Sequence, residues 1–266
     1  MRGVSSTLYL ILAMIGPNGR CEHVRPESVD LRTDFRERKL PPRHQGKRGA
    51  CQVFAFLGVA EYHLSPPGRP VDLSEQFLMW SANEAKGLDR TEGFNPDLLI
   101  VGLQKHGVCV EKLMPYVATN TKIISPHPAA RTDAASRRHI CVETIKHWTR
   151  PIGFDKTVLA ALRDCLDSGQ PVTVTLCWPF GLPDNQIHDK QFFLLDRKVQ
   201  ADKNGHGVIL VGYTRDASVP GGGYFLIRNA WGTTFADAGY AKVTFAFAIK
   251  YGIDAYRVTI RQPARP

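Results

Sequence analysis

The chain has 266 residues, of which 43% are hydrophobic and 22% are charged. This composition supplies a full core, excludes a disordered chain, and at this length suits one compact unit or two closely joined subdomains. Lysine and arginine outnumber aspartate and glutamate by 34 to 25, a formal net charge of +9. The basic residues are scattered and no aromatic-interleaved basic repeat accompanies them, so we expect no nucleic-acid partner.

The first 25 residues combine Arg2 with an apolar run from Leu8 to Ile15. Such a run is too short to span a bilayer but matches the apolar centre of a signal peptide. No small-x-small cleavage site follows it, so a signal peptide and a loosely packed N-terminal extension are both kept as alternatives. The first implies export, as a secreted or periplasmic protein, and the second a cytoplasmic one. We expect no membrane span.

Residues 45–56 change abruptly from polar and glycine-rich to apolar at Cys51. This change predicts a loop followed by a buried helix that carries Cys51 in its first turn and runs to about His63. The sequence Ser-Pro-Pro-Gly at 65–68 stops it. A thiol at a helix N-terminus lies near unpaired backbone N–H groups, which favour the nucleophilic thiolate.

Further helices and then strands are expected along the chain. Ser74 is a candidate N-cap for a short helix, and residues 118–138 read as a polar surface excursion. Hydrophobic spacing predicts helices over 96–105 and 156–168, a loop over 180–202, and strands over 140–150, 172–176, 208–213, 224–228, 240–243 and 255–260. Helices first and strands later predict an α+β chain with a cleft between a helical half and a sheet half.

A nucleophilic cysteine needs a base, a group that orients the base, and donors for an oxyanion. His206 and Asn229 each lie beside a strand-like apolar run far downstream of Cys51. Gln45 stands six residues before Cys51 and can donate an amide N–H. Alone, each of these residues is more often structural. Their order along one chain indicates a catalytic constellation.

The order Gln45, Cys51, His206, Asn229, with the N-x-W-G sequence that contains Trp231, resembles the papain family of cysteine peptidases. The resemblance covers about residues 26–260 and suggests a bacterial-type member without an evident propeptide. It implies residues 1–25 as an extension or signal peptide, followed by a papain-like α+β domain over 26–266. The helical half would lie mainly in 51–116 and an antiparallel sheet or barrel mainly in 117–266, with the active-site cleft between them.

The resemblance also implies a role for each candidate. Cys51 would be the nucleophile and His206 the acid and base, with a lowered thiol pKa and a raised imidazole pKa in a thiolate–imidazolium pair. Asn229 would orient the ring of His206. Gln45 and the backbone N–H of Cys51 would stabilise the oxyanion.

Three further residues are implied around this core. Trp231 would shield the bond between His206 and Asn229 from water, while Gly93 and Gly205 would contact substrate in the cleft. We expect no cofactor and no metal, and a peptide or protein as the substrate. The oligomeric state stays open.

The sequence departs from the family pattern in three ways. Arg48 stands where many members have a disulfide cysteine, and no cysteine occurs between 52 and 108, so an oxidising compartment is not required. Gln52 replaces the usual tryptophan after the nucleophile, at the cleft wall. Lys47 and Arg48 either stabilise the thiolate and favour acidic substrates or form a solvated loop.

Two other functions compete with peptide hydrolysis. A catalytically silent module would keep the cleft to bind peptides. A ligase or transpeptidase would form the same thioester and pass the acyl group to an amine. The intact set Gln45, Cys51, His206 and Asn229 favours an enzyme.

Overall fold

The computed structural model describes the backbone of residues 13–15 and 21–23, and residues 25–178 and 205–261 in full. The α-helices are α1 (Arg32–Glu37), α2 (Cys51–Leu64), α3 (Glu75–Lys86), α4 (Pro96–His106), α5 (Pro128–Ala135), α6 (Lys156–Asp167) and α7 (Phe245–Tyr251), and Glu111–Leu113 form a 3-10 turn. The strands are β1 (Ala13–Ile15), β2 (Cys21–His23), β3 (Ser28–Asp30), β4 (Ile140–Lys146), β5 (Val172–Cys177), β6 (Gly205–Arg215), β7 (Gly223–Arg228), β8 (Tyr240–Thr244) and β9 (Gly252–Ile260).

One antiparallel sheet of seven strands dominates the second half of the chain. Its order is β4-β9-β5-β6-β7-β8, and β3 pairs with the C-terminal part of β6. Strands β1 and β2 form a separate two-stranded ladder. The helices α2, α3 and α4 precede six of the seven strands of this sheet, and the predicted α+β class is confirmed. Within the described part of the chain, no helix has the length and apolarity to cross a membrane.

Helix α2 lies in the core between the other helices and the sheet. Every residue from Gln52 to Tyr62 is buried, because the helix is apolar on nearly all sides. It approaches β6 closely at two glycines: a Cβ on Gly58 would lie 2.7 Å from Ile209 Cδ1, and one on Gly207 would lie 3.0 Å from Gln52 Cα. These contacts set the position of the first turn of α2 relative to β6.

The next two helices begin and end as their sequence indicates. The hydroxyl of Ser74 accepts a hydrogen bond from the N–H of Phe77 at 2.9 Å, which confirms the predicted N-cap. Asn95 caps α4 in the same way, through the N–H of Leu98 at 3.0 Å. Both helices end at a glycine with positive φ, Gly87 and Gly107.

The structure differs from the sequence-based prediction in several elements. The predicted surface excursion over 118–138 contains α5, whose buried side chains are the small Ala130 and Ala134 and therefore leave no apolar periodicity to read. The strand predicted over 140–150 ends at Lys146, and the last strand begins at Gly252. The loop predicted over 180–202 lies outside the described residues, and so does most of 1–25.

The two glycines that end α3 and α4 give a matched stability test. Ala at Gly87 meets open space, whereas a Cβ on Gly107 would lie 2.1 Å from the carbonyl oxygen of Ala134. We expect Gly87→Ala to cost about 1 kcal/mol of unfolding free energy for its left-handed backbone. Gly107→Ala should cost at least about 3 kcal/mol, because strain and a backbone collision add. Urea unfolding followed by circular dichroism measures both; equal losses would contradict the described packing of α4 on α5.

Candidate active site

A cleft of about 1270 Å³ opens between the helical half and the sheet. The loop before α2 and its first turn form one side, and β5, β6 and β9 form the other. Six of the residues singled out from the sequence line it: Gln45, Cys51, Gly93, Gly205, His206 and Trp231. The seventh, Asn229, is buried behind His206. The structure therefore brings together residues separated by up to 186 positions in the chain.

Cys51 is the first residue of α2 and is partly accessible from the cleft. Its neighbour across the cleft floor is Gly207, whose backbone N–H reaches the sulfur, as do the N–H groups of Gln52 and of Cys51 itself. Since Gly207 directly follows His206, this contact places the thiol beside the strand that carries the imidazole. Among the described residues, no side chain caps the N-terminus of α2, so its first N–H groups are not taken up by a capping side chain.

His206 is the second residue of β6 and is almost fully buried. Its Nε2 lies 2.8 Å from Oδ1 of Asn229, just after β7. Because an amide oxygen only accepts, Nε2 carries the proton and Nδ1 carries the lone pair. The same Oδ1 accepts the backbone N–H of Ala230 at 2.8 Å, which fixes the orientation of the amide.

Two tryptophans cover this imidazole. The ring centroid of Trp231 lies 4.9 Å from that of His206, and the centroid of Trp178 lies 4.6 Å away. The two indoles meet edge to face at 5.7 Å. Together they exclude water from the ring. Trp178, at the end of β5, was missed from the sequence; its only signal is a bulky aromatic residue directly after a buried strand.

Gln45 is held in the cleft by its backbone and its side chain. Its N–H donates to the carbonyl of Ala230 at 2.8 Å, and its own carbonyl accepts the hydroxyl of Tyr116 at 2.8 Å. Its Nε2 donates one hydrogen to the carbonyl of Arg48 at 2.8 Å. A side-chain amide has two hydrogens, so a second one is available as a donor.

The glycine candidates form parts of the cleft wall. Gly93 has a φ of +70°, and its N–H donates to the carbonyl of Gly49 at 2.9 Å, in the loop before Cys51. Apart from its two neighbours in the chain, no described residue comes nearer than 4.0 Å to the place where its Cβ would lie. Gly205 is exposed at the start of β6, beside Thr175. Both positions leave backbone accessible from the cleft.

The suggestion that Arg48 stabilises a thiolate is wrong. Its side chain is fully buried, and its guanidinium donates to the carbonyls of Thr91 at 2.5 Å and Val117 at 2.8 Å and to the side chain of Gln76 at 3.0 Å. Among the residues that the structure describes, no charged group contributes to the pKa shift of the Cys51 thiol. Lys47 lines the cleft together with the carboxylates of Glu92, Asp97 and Asp254, so a preference for acidic substrates stays a prediction that rests on Lys47 alone.

A model described as "Papain family cysteine protease" matches residues 25–260 of the chain. The chain belongs to this family. It is 27% identical to a cathepsin L-like peptidase of Aedes aegypti over 234 residues, which cover 83% of the chain and 61% of that protein. It is 26% identical to cathepsin S of Mus musculus over 239 residues, 87% of the chain and 62% of that protein. It thus spans about three fifths of the length of these curated relatives.

Solved structures of the family share the fold. Xylellain, a cysteine protease from Xylella fastidiosa, superposes with a TM-score of 0.67 and 22% identity, covering 90% of the chain and 88% of xylellain. Procathepsin L 3 of Tenebrio molitor gives a TM-score of 0.64 at 19% identity, over 94% of the chain and 73% of that protein. The predicted papain-like α+β fold is therefore confirmed.

Burial opposes the charges expected on the two residues of the pair, a thiolate on Cys51 and an imidazolium on His206. Burial lowers the pKa of His206 to about 4, although its bond to Asn229 raises it in part. Burial likewise raises the pKa of the Cys51 thiol, although the three backbone N–H groups lower it in part. These directions are opposite to those expected from the sequence. Since burial disfavours each charge alone, we expect a thiolate to form only when the proton of Cys51 passes to His206 and both charges arise together.

This coupling predicts the behaviour of the thiol when its partner is removed. In His206→Ala, burial keeps the pKa of Cys51 above the ordinary 9.0, so the thiolate fraction at pH 7 falls. We expect alkylation of Cys51 by iodoacetamide at pH 7 to slow at least about tenfold, and to recover only above pH 9. The readout is the rate of modification of the Cys51 peptide, followed by mass spectrometry across pH 5–10.

His127→Asn serves as the control, because His127 is exposed at the start of α5 and asparagine can also cap that helix. It should react as the wild type does. An unchanged pH profile in His206→Ala would show that His206 does not ionise together with Cys51.

Proposed function

We propose that this chain is a thiol-dependent peptidase that hydrolyses peptide bonds through an acyl-enzyme on Cys51. The observation that carries the proposal is the arrangement of Cys51, the hydrogen-bonded pair His206–Asn229 and Gln45 on one open cleft. The cathepsin L-like peptidase and the xylellain protease named above support the same class of reaction. Gly93 and Gly205 leave room for a peptide backbone beside the thiol.

The chemistry follows from the hydrogen bonds of the site. His206 holds its proton on Nε2 through Asn229, so Nδ1 accepts the proton of the Cys51 thiol. The sulfur then attacks the peptide carbonyl carbon, and the carbonyl oxygen becomes an oxyanion. His206 returns its proton to the leaving amine, which departs as the first product. Water, deprotonated by His206, finally hydrolyses the thioester and regenerates the thiol.

The oxyanion would receive two donors. One is the backbone N–H of Cys51, which as the first helical residue has no carbonyl partner within α2. The other is the second amide hydrogen of Gln45, whose position is fixed by Ala230, Tyr116 and Arg48. Trp231 and Trp178 would keep the dielectric around His206 low, which strengthens the bond to Asn229.

The role of Gln45 can be measured separately from binding. We expect Gln45→Ala to lower kcat on a fluorogenic peptide by about 10²–10³, roughly 3 kcal/mol, with little change in KM, because the donor acts on a charge present only in the transition state. Gln104→Ala, an exposed glutamine on α4, is the matched control and should leave kcat unchanged. A loss confined to KM would remove Gln45 from the oxyanion site.

The reaction itself is tested with a peptide mixture and product mass spectrometry. Wild-type protein should yield two fragments whose masses sum to peptide plus water, and Cys51→Ala should yield none. Labelling of Cys51 by an epoxide inhibitor without any cleavage would indicate a peptide-binding module. Products joined to an added amine, without the water, would indicate a ligase or transpeptidase.

A further inference from the structure

Three residues form a row across the sheet at the cleft floor. In the antiparallel pairing, Thr175 of β5 lies opposite Gly207 of β6 on one side and opposite Asp254 of β9 on the other. Directly opposed residues point to the same face of a sheet. Thr175 and Asp254 both line the cleft. The pairing of β5 with β9 shifts register just after Thr175, a type of irregularity that often redirects side chains near active sites.

The residue after the nucleophile completes this row. Gly207 has no side chain, and the space is filled by Gln52: a Cβ on Gly207 would lie 2.7 Å from Gln52 Cδ. The Gln52 amide Nε2 donates a hydrogen bond to the hydroxyl of Thr175, and that hydroxyl donates to Oδ1 of Asp254. All three side chains are 7% exposed or less. A shielded chain of hydrogen bonds thus joins α2, β5 and β9.

The carboxylate sets the direction of this chain. An ionised carboxyl group only accepts, so the hydroxyl proton of Thr175 must point at Asp254, and a lone pair of its oxygen then faces Gln52. Gln52 must in turn present its NH₂ group. A neutral amide in place of Asp254 can donate as well as accept, and would no longer impose this order.

The charge of Asp254 has no close counterion among the described residues. Its charged or titratable neighbours are Lys146 at the end of β4, His147 directly after β4, and Asp97 on α4. Lys146 donates to the carbonyls of Ile253 and His147, at 2.8 and 3.3 Å, and His147 lies 3.1 Å from Asp97. Burial raises the pKa of Asp254 to about 6, whereas Thr175, Lys146 and His147 lower it. A buried carboxylate of this kind costs folding free energy, so its presence points to a use outside stability.

We propose that Asp254 is a positioning residue for Cys51 and His206, and that it acts through Thr175 and Gln52. The hydrogen bonds from Asp254 through Thr175 fix the Gln52 side chain over Gly207, and this holds the first turn of α2 against β6. The N–H groups of Gly207 and Gln52 are thereby kept at the Cys51 sulfur. The proposal rests on the proposed function for its effect on turnover, but its effect on thiol reactivity is independent of turnover.

The test compares Asp254→Asn and Thr175→Val, alone and together. Each single variant should slow both iodoacetamide alkylation of Cys51 and kcat about tenfold at pH 7, with KM nearly unchanged, because small misplacements of reacting groups are costly. The double variant should fall no further, since one break already interrupts the chain. Thr175→Ser, which keeps the hydroxyl, should lose less than Thr175→Val.

Two comparisons separate positioning from a structural role. Thr173→Val is the matched control: Thr173 is buried on the same strand, but its hydroxyl donates to the carbonyl of Tyr256 at 3.2 Å. It should change unfolding without changing alkylation. Because the pKa of Asp254 is raised by folding, its ionised form lowers stability above pH 6. Asp254→Asn should therefore unfold at a higher temperature than wild type at pH 8, and this advantage should shrink towards pH 4.

Each outcome decides the proposal. Slower alkylation in a protein that cleaves no peptide supports positioning while refuting the peptidase. Unchanged alkylation in Asp254→Asn overturns positioning. A loss of kcat/KM confined to peptides with lysine or arginine also overturns it, because Asp254 would then bind substrate directly.

Discussion

The candidate active site depends on the close approach of helix α2 to strand β6. The helix is buried along almost its whole length, and two glycines allow the close approach: a Cβ on Gly58 would collide with the side chain of Ile209, and one on Gly207 with Gln52. The first turn of α2 therefore cannot shift without disturbing the core. This packing places Cys51 beside the strand that carries His206. The loop before α2 contributes Gln45 to the site. The reactivity of Cys51 therefore depends on the packing of the core.

The loop before α2 is fastened by a buried cation instead of a covalent link. Arg48 stands where many papain-family members carry a disulfide cysteine, and its guanidinium binds the carbonyls of Thr91 and Val117 in following segments. Removing the guanidinium of Arg48, or the groups that accept its hydrogen bonds, would leave buried polar groups without hydrogen bonds. Such a loss is strongly destabilising. The fastening holds in reducing and oxidising surroundings alike. It also keeps the carbonyl of Arg48 where it binds Gln45.

The sequence predicted those features of the site that depend on short local patterns. An apolar run after glycines located α2 and Cys51, and short motifs located His206, Asn229 and Gln45. It failed where the answer depends on strand register: Trp178, Thr175 and Asp254 reach the site only through the pairing of β5 with β6 and β9. The pKa directions of Cys51 and His206 were wrong because burial, which causes both shifts, is a property of the assembled core; two tryptophans cover the ring of His206. Arg48 misled because adjacency in sequence says nothing about where a long side chain points.

We infer that one thiol among several, that of Cys51, is made reactive by its place at the start of α2 beside the strand of His206. Cys109, Cys165 and Cys177 are buried, and Cys141 is partly exposed like Cys51. Competitive labelling tests this directly: native protein is treated with less than one equivalent of iodoacetamide at pH 6, and each cysteine peptide is quantified by mass spectrometry. We expect modification at Cys51 far ahead of Cys141. Equal labelling of the two, or labelling of Cys141 alone, would contradict it.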